Sequence, residues 1–242
     1  MSALEVLVLM GGPDAEAAVS MKSGEAVAKA LRDAGLSVHE QVIRELTSDS
    51  LAALSGNVIF PVLHGPWGEG GPLQEMLEQD GRPFVGAGSA AAKKAMNKHT
   101  TKEVAQAIGV PTPPWVIMED AGPLPLPLPV AIKPINEGSS VGVRLACTQE
   151  EAQSAMEEGL TGYGRVMLEK LIRGREITAG WIEGQHVPLI EIKPASGHYD
   201  FAAKYERPDT TYQVDPELPV EWSQQMHDAT DALCRSLGLR DL

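Results

Sequence analysis

Basic residues are scarce in this chain of 242 residues: 20 Lys and Arg stand against 33 Asp and Glu, a formal charge of −13. A net-acidic surface argues against general nucleic-acid or anionic-membrane binding, while leaving room for a local basic pocket for phosphate. Cysteine is scarcer still. Cys147 and Cys234 lie 87 positions apart with no CxxC and no paired histidine, which excludes a disulfide scaffold and fits buried thiols in a reducing compartment. No apolar run approaches the roughly 20 residues that a membrane span requires. The opening MSALEVLVLMGG has no basic flank and reads as a strand, so the expected location is the cytoplasm, with no signal peptide. Aromatic residues make up only 5%.

Apolar residues, at 43%, and charged residues, at 22%, are sufficient for a globular core and exclude wholesale disorder. Division by roughly 150 residues per domain gives about 1.6, one large domain or two small ones. Residues 4–10 (LEVLVLM) form an apolar run ending in Gly11-Gly12, the pattern of a buried parallel strand. A helix should begin between Asp14 and Ser20 and stop at Gly35, with Val19, Val27, Ala30, Leu31 and Ala34 inward and a Glu25–Lys29 pair outward. Strands over 37–43 and 57–63 follow, the second leading into a glycine-rich loop, HGPWGEGG (64–71). Strand, helix and two more strands predict an open parallel α/β sheet with ligand-facing loops.

Composition shifts near residue 90. Residues 89–108 read as one Ala/Lys-rich helix, and the proline-dense stretch from Pro111 to Pro129 reads as an extended, solvated connector. Strands over 130–133 and 141–145 flank NEGSS, a helix covers 149–158, and strands are expected over 166–170, 176–182 and 189–192. A final helix over 222–237 turns Met226, Thr230, Leu233 and Leu237 to one side.

Five segments can carry chemistry. KPINEGSSVG (133–142) offers Lys133 and several backbone N–H groups to a polyphosphate, although the same residues suit an ordinary hairpin turn. It is not a Walker A loop, and no GxGxxG occurs. VMLEKLIRGREI (166–177) sets Glu169 and Glu176 seven apart, enough to serve an adenosine from the rim of one cleft or to stand as two solvated glutamates. His64 and Glu69 in HGPWGEGG sit where backbone and ligand can approach closely, or simply end a strand. Glu16, at the expected helix start, suits a substrate ammonium or the helix dipole. HYDFAAKY (198–205) gathers Tyr199, Lys204 and Tyr205 in a segment expected to be irregular.

In this order the segments resemble the D-alanine–D-alanine ligases of the ATP-grasp superfamily. The resemblance runs through GG…AE…VS, HG..GE.G, PF.G.GS..A…MNK (83–98) and GVPTPPW (109–115). It continues through KP..EGSSVG, LEK.I.GREIT (168–178), IEI.P..G.YD..AKY (190–205) and T.Y (210–212), covering essentially the whole chain. It implies an N-terminal α/β substrate domain (1–88), a central ATP-grasp lid domain (89–175) and a partial C-terminal ATP-grasp domain (176–242).

The activity implied is ATP-dependent joining of two D-alanines through an acyl phosphate, for peptidoglycan precursors. Lys98 and Lys133 would grip the ATP phosphates under Ser139 and Ser140. Glu169, Lys170 and Ile172 would line the adenine pocket, with Glu176 on the ribose. Glu16 would hold the first D-alanine's ammonium and His64 would lie near its carboxylate. Lys204 and Tyr205 would belong to the closing loop, Tyr205 in a network with Ser139 and Glu16. The intact AKY element points to an amine rather than D-lactate as second substrate.

Two departures accompany the resemblance. Ala18 stands where the family usually has a second carboxylate. The family's Arg-x-Asp and Glu-x-Asn elements, which supply the Mg2+ or Mn2+ ligands, are expected beyond the helix ending in SLGLRDL, so the chain reads as C-terminally truncated and without a metal site. The family also implies a homodimer. Three readings stay open here: a ligase, a non-catalytic homologue that binds nucleotide or D-alanine, and a carboxylate–amine ligase of different substrate.

Overall fold

A computed structural model describes residues 4–183, 185 and 187–241. They form two compact units, 4–96 with 237–241, and 97–236.

The first unit is built on strand β1 (Glu5–Gly11), helix α1 (Ala17–Asp33), strand β2 (Ser37–Ile43), helix α2 (Ser48–Ala52) and strand β3 (Val58–Pro61). These are followed by helices α3 (Gly65–Glu69), α4 (Pro72–Asp80) and α5 (Ser89–Met96). The sheet has the order β2-β1-β3 and is parallel, as the sequence pattern predicts. Because β1 is central, its side chains alternate between two cores. Leu7 and Leu9 join Ile59, Leu73 and Leu77 on one face; Val6, Val8 and Met10 join Ala28 under α1 on the other.

The inward face of α1 matches expectation in part: Val27 and Leu31 pack on the core formed with Val6, Val8 and Met10. Ser20, Gly24 and Ala28 are buried, whereas Ala30 and Ala34 are exposed, and Lys29 pairs with Asp33 instead of Glu25. A stripe of small residues lets the helix lie close to the sheet: a Cβ on Gly24 would sit 2.6 Å from Met10 Cβ. The segment after His64, expected as a loop, closes into the short helix α3.

The second unit begins with α6 (Lys98–Ala107) and strands β4 (Trp115–Met118), β5 (Val130–Pro134) and β6 (Arg144–Ala146). Then come α7 (Gln149–Tyr163), β7 (Val166–Lys170), β8 (Glu176–Ala179), β9 (Leu189–Pro194), α8 (Phe201–Tyr205), β10 (Thr210–Val214) and α9 (Val220–Leu237). Two antiparallel sheets result, β4-β7-β5-β6 and β10-β9-β8. Val130, Ile132, Val166 and Leu168 pack against Ala152, Ala155 and Met156 of α7.

Three expectations are corrected here. The helix expected over 89–108 is broken at Asn97, whose side chain accepts from Thr100 N–H at 3.0 Å and starts α6 afresh. The break lets Lys98 N–H donate to Ile135 carbonyl at 3.0 Å, and the division between the units falls there. The proline run is not merely a solvated connector. Pro123, Pro125 and Pro127 are exposed, while Leu124, Leu126 and Leu128 between and beside them pack on the α7 core. Residues 201–205, expected to be irregular, form α8, capped by Asp200, which accepts from Ala203 N–H at 2.8 Å. Among the described residues no helix is long and apolar enough to cross a membrane.

Candidate active site

In the second unit, antiparallel pairing sets Ala131 of β5 opposite Glu169 of β7, and Lys133 opposite Met167. Lys133 and Glu169 thus stand diagonally on one face, and the small Ala131 leaves the carboxylate room. Lys133 Nζ bonds one Glu169 oxygen, and Lys102 Nζ, from α6, bonds the other at 2.6 Å. Burial favours the protonated acid, but the two lysines outweigh it and hold the Glu169 carboxyl below the usual carboxylate range.

Lys98 opens α6, and its Nζ donates to the carbonyl of Glu137 at the start of the β5–β6 loop. Burial first, and then the neighbouring Lys133 charge, push its pKa down to about 8. The loop is shaped by left-handed backbone at Ser139 (φ 49°) and Ser140 (φ 61°). Side-chain partners hold both residues there: Ser139 Oγ lies 2.9 Å from Tyr205 Oη, and Ser140 Oγ donates to Tyr199 carbonyl at 3.0 Å. Lys204 Nζ rests 5.0 Å from the Tyr199 ring centroid, its pKa lowered by burial against the opposing pull of Glu176. Tyr199 Oη meets Tyr212 Oη at 3.0 Å, and burial followed by that bond raises the Tyr199 pKa.

Lys98, Lys133 and Glu169 therefore come together, as do Ser139 and Ser140 with residues 199–205. Lys170 does not join them through its side chain. Strand alternation turns it to the other face of β7, where Nζ donates to the carbonyls of Pro127 at 3.2 Å and Leu128 at 3.0 Å. Ile172 is 63% exposed on the loop after β7, and Glu176 is exposed at the start of β8.

Glu16 and His64 belong to the first unit. Glu16 occupies the N-cap position of α1 without capping it, is 2% exposed, and its Oε1 has no hydrogen-bond partner among the described residues. His64 follows β3, with Nδ1 2.7 Å from Glu69 Oε1 and Nε2 buried without a partner among the described residues. The Glu69 hydrogen bond raises the His64 pKa, burial opposes it, and the charges of Glu69 and Glu16 add to the rise. Asp14 Oδ2 accepts from Trp67 N–H at 2.9 Å and Gly68 N–H at 3.2 Å, fixing the turn that carries His64. Of the expected Tyr205 network, the Ser139 bond is present, whereas Glu16 is part of the other unit.

Lys102 and the orienting role of Glu69 were not read from the sequence. The signal for Lys102 was its spacing, one helical turn after Lys98 on the same side of α6. Chemically, the second unit offers clustered ammonium groups beside a left-handed serine loop, suited to a polyphosphate. The first offers a buried carboxylate oxygen and an imidazole nitrogen, both awaiting polar partners. Among the described residues no three His, Cys, Asp or Glu side chains converge on a possible metal position.

Comparison with known proteins accords with these features. The sequence profile described as "D-ala D-ala ligase C-terminus" matches residues 104–242. The D-alanine–D-alanine ligase of Aquifex aeolicus is 32% identical over 98% of this chain and 82% of its own length. That of Pseudomonas entomophila is 36% identical over 97% of this chain and 75% of its own. Among solved structures, the D-alanine–D-alanine ligase of Bacillus anthracis superposes with a TM-score of 0.85 at 29% identity, covering 99% of this chain and 80% of that one. Its ATP complex gives 0.83 at 28% identity. Sequence identity, coverage and fold agree throughout, and the chain belongs to the D-alanine–D-alanine ligase family.

Proposed function

We propose that this chain performs its family's reaction, the ATP-dependent joining of two D-alanines for peptidoglycan precursors. One observation carries the amino-acid half of this reading: Glu16 Oε1 and His64 Nε2 are both buried without hydrogen-bond partners among the described residues. A desolvated carboxylate oxygen costs roughly 1–3 kcal/mol or more when unpaired, so such an atom calls for a cationic ligand group. The ammonium of D-alanine supplies one, and the raised pKa of His64 suits an N–H that donates to a carboxylate.

The nucleotide half rests on Lys98, Lys133 and the 136–142 loop. Their positive charge and backbone N–H groups fit the phosphates of ATP, which a solved relative holds in complex. When bound, ATP supplies the phosphoryl group that turns the first D-alanine's carboxylate into an acyl phosphate, open to attack by the second D-alanine's amine. Lys98 and Lys133 neutralise charge on the phosphate oxygens, the largest demand of phosphoryl transfer. The Ser139–Tyr205 bridge joins the glycine–serine loop to α8, as expected of a lid that excludes water.

Glu169 serves the purine side only through an oxygen's remaining lone pairs, since both its oxygens already accept from lysines. Lys170 contributes there through backbone, its ammonium being tied to the proline run. The Mg2+ or Mn2+ that the family implies finds no cluster of acidic or imidazole ligands among the described residues. Cytoplasmic location and a homodimer complete the reading; light scattering of the purified chain tests the latter.

The deciding experiment is D-alanine-dependent phosphate release from ATP and magnesium, with Glu16→Ala as control. Release that requires D-alanine and disappears in the control supports the ligase. Nucleotide binding without such release favours a non-catalytic homologue. Faster turnover with D-lactate than with D-alanine as acceptor would overturn the assignment of an amine.

A further inference from the structure

Lys102 has no place in the sequence-derived site, yet it is among the few buried charged residues, 8% exposed overall. Its Nζ bonds Glu169 Oε2 at 2.6 Å and the Thr112 hydroxyl, and lies 4.8 Å from the centroid of the Trp115 ring. The indole is itself fixed, donating from Nε1 to His99 Nδ1 at 2.9 Å. Lys102 is thus held on three sides. The Lys102 and Glu169 side chains are 10% and 12% exposed, and Lys133, on the other carboxylate oxygen, is 25% exposed.

This arrangement divides one negative charge between two ammonium groups. Lys102, Lys133 and Glu169 together carry +1; Lys133 and Glu169 alone would carry zero. In a partly desolvated site a carboxylate bonded to one lysine would cancel most of that lysine's attraction for an anion. We propose that Lys102 is a positioning residue for the nucleotide phosphates: by occupying one oxygen of Glu169, it leaves Lys133 with uncancelled positive charge and fixes where its ammonium points. This rests on the reading that Lys98 and Lys133 hold a polyphosphate. Lys102 itself touches no phosphate, since its donors are spent on Glu169 and Thr112 and its remaining face on Trp115.

The test is calorimetric binding of inorganic tripolyphosphate, which has no purine, to the full chain and to Lys102→Met, Lys102→Arg, Lys102→Met/Glu169→Gln and Lys133→Met. Removing one charge several ångströms from a polyphosphate should weaken binding about tenfold in Lys102→Met. Lys102→Arg keeps the charge and should bind like the parent. Lys102→Met/Glu169→Gln removes the carboxylate's charge as well, so Lys133 is again uncancelled and most of the lost affinity should return. A purely packing role predicts the opposite for that double variant, with affinity as weak as in Lys102→Met or weaker. That result, or unchanged affinity in Lys102→Met, overturns the proposal. If Lys133→Met binds tripolyphosphate as tightly as the parent, the phosphate reading fails and the proposal falls with it. Should Lys102→Met not fold, the double variant and Lys102→Arg still separate the charge role from packing.

Discussion

The hydroxyls of Ser139 and Tyr205, 66 positions apart in sequence, meet at 2.9 Å. One stands on left-handed backbone in the β5–β6 loop and the other ends α8, so a single bond joins two segments that the sequence separates by most of a domain. Tyr205→Phe keeps the ring, including its edge-on contact with Phe201 at 5.0 Å between centroids, and removes only this bond. A net hydrogen-bond worth of about 1 kcal/mol predicts roughly fivefold lower kcat/KM and faster proteolytic cleavage in 136–142. Cleavage at the parent rate would show that the bond does not restrain the loop.

Lys98 supplies a pH dependence. Its pKa of about 8 means that the ammonium, charged below that pH, loses its proton as pH rises through it. Nucleotide binding favours the charged form, so the KM for ATP should climb on the alkaline side of about 8 and stay flat below it. Lys98→Met should show weak binding throughout and no such limb. Steady-state kinetics across that range decides between the two profiles.

His64 behaves oppositely in origin, being raised by the bond to Glu69 rather than lowered by burial. With a folded pKa above the unfolded one, protonated His64 stabilises the fold at low pH, and that contribution is lost as pH rises through the folded pKa. Glu69→Gln should lower the His64 pKa and move the acidic-to-neutral limb of the D-alanine KM profile to lower pH. NMR titration of the imidazole provides the check, and an unmoved midpoint would remove Glu69 from its orienting role.

Gly24 governs how closely α1 approaches the sheet. A Cβ there would meet Met10 Cβ at 2.6 Å and Met10 Sδ at 3.0 Å. Gly24→Val forces the helix outward and should destabilise by about 1–3 kcal/mol, the usual range for overpacking. Urea unfolding measures it; stability equal to the parent's would mean that Met10 swings aside freely.

Leu126 tests the proline run. A solvated connector would tolerate Leu126→Ala without loss. Packed against the α7 core, the side chain should instead contribute about 1–2 kcal/mol, less than a fully buried leucine. The same urea measurement separates the two.

Much of this was open to inspection in the one-dimensional pattern. Runs such as 4–10 and 166–170, apolar and flanked by glycine or a strong helix, announced their strands because burial demands apolar residues on both faces. The Asn97 break was hidden, since Ala and Lys favour helix on either side and one capping asparagine is a weak local signal against them. The alternating Leu-Pro stretch reads equally well as solvated or packed. Period-two spacing states which residues share a side but not what lies beneath them. Residues 201–205 were obscured by length, a single helical turn being too short to show periodicity.

The sequence by itself determined the fold class and the family, because motif order and strand patterning are local properties, and through that resemblance it nominated Glu16, His64, Lys98, Lys133, Ser139, Glu169 and Tyr205 as the residues to test. Only the tertiary structure decided which charges meet. Lys102 shares the Glu169 carboxylate with Lys133 because β5 and β7 pair in one register and α6 restarts at Asn97. Lys170 turns away to the carbonyls of Pro127 and Leu128 because adjacent residues of a strand face opposite sides. Electrostatic interaction depends on separation in space and on burial, and neither is written in the spacing of residues along a chain.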